Sequence, residues 1–283
     1  MKIGMLGAGV YGIAIAKVLR ANGHHVKFYD PYRYPEVLLE EIVRYAQVLF
    51  VATPAEVVSG LLKQMPAAAY EKPVIILTKG VMKPEVWGDF RYFELVSGPG
   101  FAEEIERGKR VKLTVAARGA CEGETLAEDL LSNAQVKFDK TDDVAGVAML
   151  SGLKNIYAIE AGRRGLAFGS SDFKEYVADA ARECEQFLLK NGGFIETVRL
   201  SAGLGDLVLT CGSEQSRNYR FGQLLGGRRN ALERRRLVRK FLRETTVEGL
   251  FAARGILKKD LTVPKEAEIL TNILRRIKNV TKR

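Results

Sequence analysis

The sequence predicts an α/β N-terminal domain followed by an all-α C-terminal domain. Three observations carry this. The first thirty residues read as strand, glycine turn, helix and strand; short apolar runs then recur to about residue 138; and from Asp142 the strand signals give way to helical periodicity. The expected boundaries are 1–141 for the α/β domain and 142–283 for the helical one.

The opening strand is KIGML. It is followed by Gly7-Ala8-Gly9-Val10-Tyr11-Gly12, then by IAIAKVLRANGH at helical spacing and by VKFYD. A G-x-G-x-x-G between a strand and a helix is the fingerprint of a Rossmann-type dinucleotide-binding domain. Gly7 permits the tight turn, Gly9 lets the backbone approach a pyrophosphate, and Gly12 lets helix and strand pack closely. The helix start at Val10 and Tyr11 then offers free N–H groups to the phosphates. Asp30, at the end of VKFYD, stands where an acidic residue binds the adenosine ribose hydroxyls, and its charge would repel a 2′-phosphate. It leans toward NAD, whereas Arg33 could reach a phosphate, so NAD and NADP both stay open.

After Asp30 the chain supplies one turn and one helix, PYRYPEVLLEEIVRYA, before QVLFVATP reads as the next buried strand. A full Rossmann half has a further strand in this interval, so the sheet is expected to be shortened, with that edge strand missing. PVIILT, RYFELVSG, VKLTVAA and QVKFD read as further strands, with helical segments around residues 55–65 and 120–132. Ligands lie beyond the carboxyl ends of such strands. That singles out Thr53-Pro54, Lys79-Gly80 and the run from Ser97 through Gly98, Gly100 and Ala102. Lys79 either points its ammonium into the cleft or is a loop lysine.

In the helical domain DVAGVAMLSGLKNIYAIEAGRRGL reads as a long helix apolar on most faces, and SDFKEYVADAARECEQFLLKNGG as a second one stopped at Asn191-Gly192. Glycine-interrupted helices follow, with Pro264 marking a later helix entry. Lys154 and Asn155 lie in the most apolar part of the first helix. A lysine there either snorkels to the edge or is held by a carboxylate, and in the second case it can exchange a proton near neutral pH. Asp206, between glycine-rich and apolar segments, either caps a helix or pairs with a buried cation. Ser216, Arg217 and Asn218 open a helical run: an N-cap hydroxyl, a fork of donors and an amide, which together suit a phosphate.

Composition narrows the classes. The chain has 283 residues, 47% hydrophobic and 28% charged, with formal net charge +10. The excess concentrates in residues 226–246 and the C-terminal tail, without interleaved aromatic platforms, so these read as solvated helix faces and nucleic acid is not the expected partner. Cys121, Cys184 and Cys211 show no paired spacing, which fits a reducing compartment, and no metal site is expected. A start directly on a strand, with no apolar leader or span, predicts a cytoplasmic protein without membrane insertion.

GAGVYG, TKG, SGPGFAEEI, GLKN, AGLGDLVLTC and SRNYRFG, in this order, resemble the bacterial-type NAD(P)-dependent glycerol-3-phosphate dehydrogenases. The likeness runs from residue 1 to about 275. It implies hydride transfer between NAD(P)H and dihydroxyacetone phosphate, giving sn-glycerol 3-phosphate at the entry to glycerophospholipid synthesis, by a cytosolic homodimer. It further implies that Lys154 is the acid/base, that Lys79 is a second active-site lysine, and that Asp206 binds substrate and steadies Lys154. Ser216, Arg217 and Asn218 would hold the substrate phosphate, with Arg217 also near the cofactor. Asn155, beside the acid/base, joins the implied substrate set. Gly98, Gly100 and Ala102 would line substrate and nicotinamide, and Glu248 would be a cofactor-side glutamate. The chain departs from the family pattern at Gly100, where a serine or threonine is usual, and at Ser171 and Ala178-Asp179-Ala180. Another two-domain reductase acting on a small hydroxy or keto acid, and a nonenzymatic dinucleotide binder, are the alternatives.

Overall fold

The computed structural model describes residues 1–80, 83–227, 230–258 and 261–281. Arg228 and Arg229 of the basic stretch, and Lys282 and Arg283 of the tail, lie outside the described residues. The chain forms two compact units, Met1–Lys79 with Lys83–Val144, and Gly80–Met82 with Ala145–Arg283. Among the described residues no helix is long and apolar enough to cross a membrane.

The first unit runs β1 (Lys2–Leu6), α1 (Val10–Ala21), β2 (His25–Tyr29), α2 (Leu39–Tyr45), β3 (Val48–Val51), α3 (Ala55–Gln64), β4 (Val74–Ile76), β5 (Phe93–Ser97), α4 (Ala102–Glu106), β6 (Val111–Ala116), α5 (Leu126–Leu131) and β7 (Val136–Thr141). Its seven-stranded sheet has the order β2-β1-β3-β4-β5-β6-β7. Central strands such as VLFV are buried at every residue, which is why they read as unbroken apolar runs rather than as alternation. β2 is the edge strand, and β3 crosses to the other side of β1, so no strand lies outside β2 among the described residues. The expected shortening is thus observed. It leaves the switch point between β1 and β3, where a parallel sheet opens its ligand crevice.

Two details differ from expectation. β6 pairs antiparallel to β5, a direction that side-chain alternation does not encode. The helix expected over 120–132 forms only at Leu126–Leu131, because its start is fixed from outside. Thr125 caps it by accepting from the Glu128 N–H, and the buried Glu94 of β5 accepts from the N–H groups of Leu126 and Ala127, both at 2.6 Å.

The second unit contains α6 (Val144–Arg164), α7 (Ser171–Lys190), α8 (Asp206–Cys211), α9 (Arg217–Gly226), α10 (Ala231–Glu244), α11 (Glu248–Leu257) and α12 (Glu268–Thr281). Every residue of α6 from Gly146 to Gly162 is buried, so α6 is the central helix and needs no polar face. Pro264 does not open α12 directly. The helix begins at Glu268, where the buried Glu183 of α7 accepts from the N–H groups of Ile269 (2.7 Å) and Leu270 (2.9 Å) and from the Tyr157 hydroxyl (2.9 Å).

Near the end of α6, Glu160 accepts from Arg163 and Arg164. Burial pushes its carboxyl up, but the two guanidinium partners outweigh burial and hold it below its ordinary value of 4.5. Glu160→Gln is therefore expected to cost about 1–2 kcal/mol, a modest figure because the arginines are partly solvated. A lowered folded-state pKa contributes stability above the unfolded value and loses it as pH falls through the folded one. Thermal melts of wild type and variant should differ most at neutral pH and converge below pH 4.5.

Candidate active site

In the first unit the glycine turn is shaped from both sides. Gly7 has φ 107°, and a Cβ there would lie 2.8 Å from the Ala52 carbonyl oxygen; a Cβ on Gly12 would overlap the Gly7 carbonyl oxygen. Gly9 is different, because among the described residues nothing lies within 4 Å of where its Cβ would be. The protein itself does not require glycine there, whereas a phosphate drawn against the backbone would. Gly9 is the N-cap of α1 without any side-chain cap, so no capping side chain competes for the first N–H groups, those of Val10 and Tyr11. These features fit a dinucleotide pyrophosphate.

Asp30 binds the turn directly. Its Oδ2 accepts from the Ala8 N–H (2.9 Å), and its Oδ1 from the N–H groups of Tyr32 (3.0 Å) and Arg33 (3.2 Å). The carboxylate thus joins the end of β2 to the phosphate loop. Lys79, after β4, donates to the Gly98 carbonyl (3.1 Å) after β5, and its ammonium lies 5.3 Å from the centre of the Tyr11 ring. It is a half-buried lysine drawn in over the glycine turn, not a loop lysine turned to solvent. Two hydroxyls at the same strand ends, Thr53 Oγ1 and Ser97 Oγ, are buried without a hydrogen-bond partner, an arrangement that suits a bound polar group. Ala102 opens α4. A Cβ on Gly100 would make ordinary contacts, 3.4 Å to Val111 and 3.5 Å to Ile105, so packing does not impose glycine at that departure from the family pattern.

In the second unit Lys154 does not snorkel. Its side chain is 4% exposed, and its ammonium pairs with Asp206 Oδ2, itself 3% exposed. Thr210, one turn along α8, donates to Asp206 Oδ1 (3.2 Å) and so orients the carboxylate. The sequence reading did not single out Thr210; its i,i+4 spacing from Asp206 on a short helix was the one available signal. Burial and the neighbouring Asp206 push the Cys211 thiol well above its ordinary range, leaving it inert beside the pair.

The α9 start is tied to the same place. Ser216 caps α9 by accepting from the Tyr219 N–H (3.3 Å). Asn218 donates to Asn155 Oδ1 (2.8 Å) and accepts from the Gly249 N–H (2.9 Å). Asn155 in turn donates to the Ser151 carbonyl (3.0 Å). Arg217 pairs with Glu248 and is 45% exposed. Asn155 of α6, Asn218 of α9 and Gly249 of α11 are thereby linked, each next in sequence to Lys154, Arg217 and Glu248 respectively. Lys154 and Asp206 thus share one network, Asn155 and Asn218 another, Arg217 pairs with Glu248, and Ser216 serves the helix start. Glycines make the approach possible: a Cβ on Gly222 would overlap the Ile159 carbonyl, one on Gly226 the Arg163 carbonyl, and one on Gly249 would lie 2.6 Å from the Asn155 carbonyl.

Comparisons with known proteins agree with this chemistry. A family model described as the NAD-dependent glycerol-3-phosphate dehydrogenase C-terminus matches residues 143–282. Glycerol-3-phosphate dehydrogenase (NAD(P)+) of Paracoccus denitrificans is 32% identical over 283 residues, covering 90% of this chain and 87% of that protein. The enzyme of the same name from Methylobacterium radiotolerans is 31% identical, covering 90% and 88%. The crystal structure of glycerol-3-phosphate dehydrogenase from Coxiella burnetii shares the fold, with a TM-score of 0.75 at 23% identity over 100% of this chain and 99% of that one. With such relatives over nearly its whole length, the chain belongs to the NAD(P)-dependent glycerol-3-phosphate dehydrogenase family.

Proposed function

We propose that this protein reduces dihydroxyacetone phosphate to sn-glycerol 3-phosphate, and catalyses the reverse oxidation, with Lys154 as proton donor and acceptor. The observation that carries this is the fastening of the buried Lys154–Asp206 pair to the cationic start of α9 through Asn155 and Asn218. Asp206 favours the charged form of a lysine that burial would otherwise neutralise. Thr210 orients the carboxylate, and the carboxylate in turn holds the ammonium. As the substrate carbonyl oxygen gains negative charge, the Lys154 ammonium stabilises it and transfers a proton to it. Asp206 keeps the lysine in place while the proton leaves and returns. Asn155, next in the chain, is proposed to help hold the substrate hydroxyls.

The phosphate is assigned to the α9 start. Arg217 retains guanidinium donors beyond those given to Glu248, and the helix start adds N–H groups. NAD or NADP, when bound, supplies or accepts the hydride. Gly9, with Val10 and Tyr11 of α1, would hold its pyrophosphate, and Asp30 its ribose hydroxyls, which leans the choice toward NAD. Lys79, Gly98, Gly100 and Ala102 are assigned to the cofactor side in the first unit, and Glu248 to the cofactor side in the second. A cytosolic homodimer supplying glycerophospholipid synthesis belongs to the same proposal. A reductase of nonphosphorylated acids is disfavoured, because the relatives matched over nearly the whole chain are glycerol-3-phosphate dehydrogenases.

The test is an assay of NADH and NADPH oxidation with dihydroxyacetone phosphate, dihydroxyacetone and small keto acids. Turnover confined to the phosphorylated ketone is expected; turnover of a keto acid alone would overturn the reading. Arg217→Ala should raise KM for dihydroxyacetone phosphate by about 10–100-fold with a smaller change in kcat, since it removes binding shared by ground and transition states. The same variant should leave any residual activity on dihydroxyacetone unchanged.

A further inference from the structure

The reaction makes no use of α10, yet α10 has an unusual outer face. Arg235, Arg236, Arg239, Lys240 and Arg243 are all exposed, and none forms a salt bridge among the described residues. Leu232 stands on the same face, 79% exposed, and Leu242 stands at its flank, 41% exposed. The opposite face is the anchoring one. Val238 is buried, Leu237 and Phe241 are partly buried, and Arg220 of α9 lies 5.9 Å over the Phe241 ring. Positions 232, 236, 239 and 243 recur at helical spacing, so Leu232 shares one solvent-facing stripe with three arginines, and Leu242 flanks it. Leu232 and Leu242 are separated by about 15 Å along the axis, with the arginines between them.

We propose that this face of α10 docks the protein on an anionic lipid surface. Arginine guanidinium groups would sit among phosphate headgroups while the two leucines enter the boundary with the acyl chains, the arrangement of an interfacial amphipathic helix. A nucleic-acid duplex would use the cations but leave the leucines in water, and no exposed aromatic ring on α10 offers a stacking platform for single strands. A second copy of the chain meeting this face with its own would set like charges against each other. The inference is independent of the reaction assigned above.

Co-sedimentation of the full chain with vesicles tests it. Vesicles of phosphatidylcholine containing about one third phosphatidylglycerol should carry the protein down, vesicles of phosphatidylcholine alone should not, and high salt should release it as the screening length shrinks. Replacing Arg235, Arg236 and Arg239 together by Ala should weaken partitioning about a hundredfold, near fivefold per charge. Leu232→Ala with Leu242→Ala should weaken it roughly tenfold or more while all charges remain. Both variants should retain wild-type NADH oxidation with dihydroxyacetone phosphate, which shows that they are folded. No sedimentation of the wild type with anionic vesicles would overturn the proposal. So would full binding by the leucine variant together with competition by single-stranded RNA, which assigns the face to nucleic acid. A change of oligomeric state in the leucine variant, with vesicle binding intact, would assign it to a second copy and overturn it equally.

Discussion

Lys154→Ala is expected to lower kcat by about a thousandfold or more, since it removes the proposed proton donor and, with it, the cation assigned to the developing alkoxide. NADH binding, assigned to the glycine turn of the first unit, should hardly change, as nucleotide fluorescence will show. The variant carries a second consequence. Asp206 is left buried with Thr210 but without its counter-ion, and breaking such a pair costs about 3–5 kcal/mol. A dead variant could then simply be an unfolded one. The two causes separate in the double variant Lys154→Met with Asp206→Leu, which replaces the pair by apolar side chains of similar volume and should recover most of the melting temperature. That protein is expected to be stable, to bind NADH, and to stay inactive. Nearly normal turnover in either variant would falsify the assignment of Lys154.

What the sequence disclosed divides along physical lines. The glycine turn was legible because its constraints are local. Gly7 and Gly12 answer to backbone within reach of the same turn and the next strand, and Gly9 to open space. The absent edge strand was legible by counting elements between VKFYD and QVLFVATP. Lys154 drew notice because a charge in a wholly apolar helix needs a partner. Asp206 was one candidate partner, and the salt bridge chose between pairing and capping. The antiparallel entry of β6 was not legible, since period-two alternation is the same in either direction. Nor was the Asn155–Asn218–Gly249 link, which joins residues 63 and 31 apart in the chain. Asparagine and glycine are common at helix ends for purely local reasons, so each looks ordinary until its neighbour is known. Thr210 was hidden the same way, as a hydroxyl inside an apolar turn.

Gly222→Ala is expected to destabilise the protein by about 3 kcal/mol or more, whereas Gly255→Ala should stabilise it by up to about 1 kcal/mol. Both glycines lie inside helices, so helix propensity alone would make both changes favourable. They differ in what the new methyl meets. At Gly255 of α11 nothing lies within 4 Å among the described residues. At Gly222 of α9 the methyl would overlap the Ile159 carbonyl oxygen and lie 2.8 Å from the Arg163 nitrogen, and both of these are backbone of α6, which cannot rotate aside. The contact is one rung of a ladder at four-residue spacing: Asn218 against Asn155, Gly222 against Ile159, Gly226 against Arg163. Forcing the middle rung apart pulls Asn218 from Asn155, and with it the α9 start, the proposed phosphate site, from α6. Urea melts should give the opposite signs for the two variants. In whatever fraction of Gly222→Ala folds, KM for dihydroxyacetone phosphate should rise, while Gly255→Ala keeps the wild-type value. Equal stability of Gly222→Ala and wild type would mean that α6 and α9 do not meet backbone to backbone, and the proposed use of Lys154 and Arg217 on one substrate would lose its structural support.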